Sequence, residues 1–283
     1  MDAREIILEL PNLRLAARVW GDLSLPRLLA LHGWLDNAAS FDTLAPLLCD
    51  RFHIVAVDLP GHGRSDHRPP GTWYHFVDSA SDLLAALDVL GWTRFGLLGH
   101  SMGGAIATLI AAACPERVER LHLIDALGPL TTPAHEAPAL LQRALQQLGQ
   151  IDTKTLRVFA SEAEAIDARQ QANGLTRQAS ECLVLRSLDA VPGGYRWSSD
   201  PRLRLASPQR YTEEQMLAIL RAIRAPTQLI LALPLASFLP EAMISARIAQ
   251  VQDIEVVRLK GSHHVHLEDP QPVAAAIRAF RAA

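Results

Sequence analysis

The chain is 283 residues long, 49% hydrophobic and 20% charged, with a formal net charge of -3. This is an ordinary soluble globular mixture, with no basic run to attract nucleic acid or an anionic membrane. Three cysteines in apolar contexts (Cys49, Cys114, Cys182), no signal-peptide start and no apolar run long enough to span a bilayer lead us to expect a cytoplasmic protein.

In chain order, residues 6–10 and 13–20 read as two strands around Pro11-Asn12, a hairpin for a sheet edge. Residues 27–31 are a short buried strand running into His32-Gly33-Trp34. Residues 41–48 read as a helix and 52–57 as a buried strand. That strand ends in a glycine-rich loop, 58–66, whose charged residues are read as satisfying the loop itself rather than substrate. Residues 77–90 have helical periodicity, with Gly91 placed as a C-cap. An apolar strand at 92–98, an apolar helix at 105–113 and a strand at 118–124 follow. This alternation implies a mostly parallel sheet covered on both faces, with ligands bound beyond the carboxyl ends of its strands. From 128 to 207 the rhythm breaks into helical stretches, polar linkers and the turn Pro192-Gly193-Gly194, which reads as an inserted helical cap. The alternation resumes with a helix at 212–224, a strand at 227–233, a helix at 244–250, a strand at 254–259 and a closing helix at 273–282.

Between the strand at 92–98 and the helix at 105–113 stands Gly99-His100-Ser101-Met102-Gly103-Gly104. A serine on a sharp strand-to-helix turn is a nucleophile elbow. Side chains at Gly99 or Gly103 would collide with the neighbouring strand and helix, and the tight turn strains the serine backbone. Ser101 Oγ is thereby exposed near a helix N-terminus, where N–H groups favour negative charge. Without those flanking elements the pattern would be only a glycine-rich turn. Gly33 lets its chain pass close to a neighbour and aim the Trp34 N–H into a cleft, half of an oxyanion hole; the alternative is a simple strand-to-loop turn. A serine needs a base, and the base an orienting acid. The loop after the last strand carries His263-His264-Val265-His266, and one of these histidines is the candidate base. Outside that cluster no Cys or His pair has ligand spacing, and neither a metal nor another cofactor is expected.

With these motifs in place, the chain resembles an α/β hydrolase from end to end. Leu31-His32-Gly33-Trp34-Leu35-Asp36-Asn37 and Asp58-Leu59-Pro60-Gly61-His62-Gly63-Arg64-Ser65 resemble the branch that includes serine-hydrolase-like proteins, epoxide hydrolases and haloalkane dehalogenases. Gly194-Tyr195-Arg196-Trp197-Ser198-Ser199-Asp200 and Gly261-Ser262-His263-His264-Val265-His266 are most similar to the serine-hydrolase-like group. The resemblance implies a mostly parallel, doubly covered α/β-hydrolase sheet, with a core at 1–127 and 208–283 and a helical cap at 128–207. It also implies His263 as base, in register with Glu268 and Pro270, and the Trp34 and Met102 N–H groups as the oxyanion hole. Most relatives carry the acid after the strand that here is 229–233. This chain has Pro234-Leu235-Ala236-Ser237-Phe238-Leu239-Pro240 there, without a carboxylate. A subset uses an acid at the end of the strand following the elbow helix, the place of Asp125. Asp125 is therefore the candidate acid; otherwise it merely caps the entry to the cap.

Ser101 as nucleophile excludes the Asp-nucleophile chemistry of epoxide hydrolases and dehalogenases. The expectation is a cofactor-free serine hydrolase acting on a small carboxylic ester, or a similar acyl compound, with an apolar group. Two rivals remain: C–C bond hydrolysis or acyl transfer on the same triad, and a non-catalytic ligand-binding protein on a hydrolase scaffold. A binding module has no need of a strained elbow.

Overall fold

Short apolar runs of this chain become strands, and the amphipathic runs between them become helices. The computed structural model describes residues 3–151 and 157–280. Its strands are β1 (Arg4–Glu9), β2 (Arg14–Trp20), β3 (Arg27–Leu31), β4 (His53–Val57), β5 (Phe95–His100), β6 (Val118–Ile124), β7 (Leu188–Val191), β8 (Gly194–Trp197), β9 (Thr227–Leu233) and β10 (Ile254–Lys260). The helices are α1 (Phe76–Val89), α2 (Met102–Ala113), α3 (Ala137–Leu148), α4 (Glu162–Asn173), α5 (Arg177–Val184), α6 (Glu213–Arg221), α7 (Glu241–Ile248), α8 (Val265–Glu268) and α9 (Pro270–Ala279). None of these helices is long and apolar enough to cross a membrane.

Eight strands form one sheet in the order β1-β2-β4-β3-β5-β6-β9-β10. The first two make the expected edge hairpin, and β2 alone runs against the others; from β4 to β10 every neighbouring pair is parallel. Alternation along each strand sends side chains to two separate cores. Leu29 and Leu31 of β3, Val55 and Val57 of β4 and Leu229 and Leu231 of β9 pack against α1, α2, α6 and α7. Their neighbours Leu28, Ala30, Ile54, Ala56, Ile230 and Ala232 pack on the opposite face against Phe41, Leu44, Leu48 and α9. The sheet is doubly covered, as its near-continuous apolar strands require.

Three expectations are corrected. Residues 41–48 are not one helix but two 3-10 turns, Ala38–Phe41 and Ala45–Leu47, because Pro46 has no N–H to continue a helical ladder. The elbow strand begins at Phe95 rather than residue 92. The closing helix starts at Pro270 and is followed to Ala279; residues 281–282 of that expectation lie outside the described residues. The described residues of the 128–207 segment hold the helices α3, α4 and α5 and also the separate antiparallel hairpin β7–β8. Its turn needs glycine, since a Cβ at Gly194 would lie 1.9 Å from the Phe159 carbonyl oxygen.

The loop after β4 is tied down through its first residue. Asp58, fully buried, accepts from the N–H groups of Ala38 (2.7 Å) and Arg64 (2.9 Å). Its ionic partner is unexpected: Arg186, just after α5, donates through Nε to both carboxylate oxygens at 3.0 Å.

Candidate active site

Parallel strands end on one edge of a sheet, so the segments following β3, β5, β6 and β10 converge there. After β5 the chain turns sharply into α2, with Ser101 at φ 50, ψ -116 between them. This is left-handed backbone on a residue with a side chain, the strain an elbow demands. Glycines make it possible: a Cβ at Gly103 would lie 2.0 Å from the Leu31 carbonyl oxygen, and one at Gly99 would lie 2.5 Å from Gly104 Cα. Met102 is the first residue of α2, so its N–H is one of the donors a helix start leaves without an internal partner. Trp34 follows β3, the strand beside β5, and its indole N–H donates to Leu203 O at 2.8 Å.

On the other side of β5 runs β6, which ends at Ile124. Asp125 follows with φ 53, its N–H bonded to Ile230 O at 2.8 Å. Its buried carboxylate accepts from Ala232 N at 2.9 Å through Oδ1. Through Oδ2 it accepts from His263 Nδ1–H at 2.7 Å, although the two residues stand 138 apart in sequence. The bond turns His263 Nε2 into the nitrogen available to a further partner. Phe238, on the loop after β9 that lacks a carboxylate, packs its ring against His263 at 5.1 Å, nearly perpendicular. The structure thus brings Asp125 and His263 into contact and sets Ser101 on the adjoining turn. No hydrogen bond joins Ser101 to His263 among the described residues. Such bonds commonly tighten only when substrate is bound.

The other two histidines of the cluster face elsewhere. His266 is fully buried with Nε2 at 2.8 Å from Ser40 Oγ, and burial followed by the charge of His264 pushes its pKa to about 3. His264 Nε2 lies 3.2 Å from Asp36 Oδ2. Asp36 also pairs with Arg169 of α4. Burial would raise the Asp36 carboxyl, but His264 and Arg169 outweigh it and hold Asp36 well below the usual carboxylate range. His100, the last residue of β5, donates through Nε2 to the His263 carbonyl at 2.9 Å. Burial and the neighbouring histidines keep His100 neutral. Asp36, His100, Arg169 and Phe238 were not singled out by the sequence. Asp36 and His100 sit inside the quoted motifs, but nothing local marks the partners they meet.

A strand–serine–helix elbow on a parallel sheet, with an Asp–His pair beside it, has few homes. The α/β hydrolase fold family matches residues 26–234 of the chain. A serine hydrolase-like protein of Danio rerio is 34% identical over 98% of this chain and 88% of its own length. The chain belongs to the α/β hydrolase family. Within it the kinship is with the serine-hydrolase-like group. Among solved structures, this α/β hydrolase superimposes on a hypothetical protein of Pseudomonas aeruginosa PAO1 with a TM-score of 0.92 and 42% identity, covering 99% of both chains. It also resembles the thioesterase domain from a curacin biosynthetic pathway, with TM-score 0.86 and 27% identity over 99% of this chain and 100% of that one.

Proposed function

We propose that this α/β hydrolase cleaves a carboxylic ester, or a related acyl compound, through Ser101, His263 and Asp125. The observation that carries the reading is the 2.7 Å contact between His263 Nδ1 and Asp125 Oδ2 beside the strained Ser101 turn. His263 Nε2 takes the Ser101 hydroxyl proton as Oγ attacks the carbonyl carbon. Asp125 stabilises the imidazolium, and the Trp34 and Met102 N–H groups hold the oxyanion. His263 then passes the proton to the leaving alkoxide, which departs as the alcohol. Water, deprotonated by the same histidine, attacks the acyl-Ser101 ester, releasing the acid and restoring the hydroxyl. Residues 128–207 serve as the cap over this edge of the sheet. The half-exposed Trp34 and Phe238 rings beside it favour a substrate with an apolar group. The three free cysteines suit the reducing cytoplasm.

Likeness to a thioesterase domain supports acyl thioesters as an alternative acyl donor, since the same attack serves both. The test is a panel of p-nitrophenyl esters and acyl thioesters with wild type and Ser101→Ala, together with labelling by a serine-directed phosphonate. Turnover and labelling lost in Ser101→Ala are expected. Wild type inert to both substrates and phosphonate would favour the binding-protein rival.

A further inference from the structure

Behind the proposed base, three buried side chains from distant parts of the chain converge: Asp36 after β3, His100 at the end of β5 and His264 after β10. One donor atom from each lies within 4.8 Å of the other two. Asp36 Oδ2 is 3.2 Å from His264 Nε2 and 3.7 Å from His100 Nδ1. Donors bonded at zinc distances on a tetrahedron stand about 3.3 Å apart, close to the separations of Asp36 Oδ2 from both histidines.

The hydrogen bonding of His100 is what makes the trio more than a polar cluster. A carbonyl oxygen can only accept, so the bond to His263 O requires the His100 proton on Nε2. Nδ1 is fully buried and without a hydrogen-bond partner, and in the neutral ring it is a bare lone pair. It faces a carboxylate oxygen, another acceptor. Two electron-rich atoms aimed at one another in the interior call for a cation between them. A ligating histidine ordinarily donates its other N–H to a carbonyl or carboxylate, the role His263 O fills here. Asp36 is likewise oriented by Arg169 through Oδ1, leaving Oδ2 for the site. Space is kept by Gly33, where a Cβ would come within 2.9 Å of both Asp36 Oδ2 and His100 Nδ1.

We propose that Asp36, His100 and His264 form a binding site for a divalent transition metal, zinc foremost. Two imidazoles and one carboxylate suit zinc, cobalt or nickel, whereas magnesium and calcium favour all-oxygen sites. Three protein ligands leave the fourth position to water. On binding, His264 gives up to solvent the Nε2 proton it shares with Asp36 and keeps its proton on Nδ1, so both rings ligate as neutral imidazoles. The ion would tether the loop carrying His263, because His264 is the next residue and His100 holds the His263 carbonyl.

The test is zinc titration of the full chain in competition with a chromogenic chelator. One zinc per chain is expected. A ligand should matter at least as much as its outer-shell partners, so Asp36→Asn and His264→Gln should each weaken binding by at least about tenfold. His135→Gln, at an exposed histidine, should leave the affinity unchanged. Should the buried-site variants fail to fold, anomalous diffraction at the zinc edge from wild-type crystals replaces them. A peak about 2.0–2.2 Å from Asp36 Oδ2, His100 Nδ1 and His264 Nε2 is the expected result. No stoichiometric zinc, affinity indifferent to both ligand substitutions, or a peak at His263 or the surface would overturn the proposal.

Discussion

Left-handed backbone on a residue with a side chain costs on the order of 1–3 kcal/mol, and this chain carries it at Leu35, Ser101 and Asp125. All three lie just beyond the ends of β3, β5 and β6, where the candidate chemistry is gathered. Asp125→Asn separates chemistry from folding at one of them. The asparagine oxygen can still accept from Ala232 N, but its NH2 would face His263 Nδ1 and favour the wrong tautomer. Turnover should fall about 10⁴-fold with little change in melting temperature. Activity retained on the ester panel would remove Asp125 from the triad. Gly103→Ala tests the elbow sterically. Its Cβ would meet the Leu31 and His32 carbonyl oxygens, which are backbone and cannot rotate away. A loss of about 3 kcal/mol in urea unfolding is expected, and a neutral result would mean that the turn relaxes freely.

At the scale of elements, the 128–207 segment is pinned to the sheet rather than laid loosely over it. Arg186 reaches Asp58 and Glu5, Arg169 of α4 reaches Asp36, and Asn37 Nδ2 donates to Leu183 O and Ser187 Oγ at 2.7 Å each. Tyr74 OH donates to Asp200 Oδ2 at 2.8 Å, closing the far side. These ties are mostly buried, so removing one partner strands the other. Arg186→Ala should cost about 3–5 kcal/mol, because the fully buried Asp58 carboxylate loses its counter-ion. Arg177→Ala, which breaks the exposed pair with Asp167, should cost under about 1 kcal/mol. Equal effects of the two substitutions in chemical unfolding would contradict this account of the anchoring.

For the molecule as a whole, buried histidines govern the response to acid. Burial pushes His32 and His122 to about 4 and His62 to about 3, and each ring donates through Nδ1 to an oxygen acceptor. Above pH 6.5 these groups are neutral in both folded and unfolded chains and cost nothing. As pH falls through 6.5 the unfolded chain takes up protons that the folded one refuses, so stability declines until the folded values are reached near 4. At pH 5 each histidine should remove about 2 kcal/mol relative to pH 7.5. Urea unfolding at the two values measures the sum, and equal stabilities would show that these rings charge without unfolding. Local physics made much of this molecule legible in advance. Apolar runs marked β4, β6, β9 and β10 to within a residue or so, and the glycines around Ser101 announced a close approach before the approaching strand was known. The helix expected at 41–48 does not form, because the apolar periodicity runs on past Pro46 while the hydrogen-bond ladder cannot. Sequence determined these features because periodicity and steric bulk act between neighbours in the chain. Residue pattern alone left three clustered histidines open, and only the family resemblance pointed to His263 as the one that meets Asp125; nothing in the sequence told that Arg186 answers Asp58 or that His100 and His264 close on Asp36. Those pairings arise because the parallel strands bring the segments after β3, β5, β6 and β10 to one edge of the sheet and the 128–207 segment reaches the loop after β4, joining side chains whose separation in sequence carries no trace of their contact.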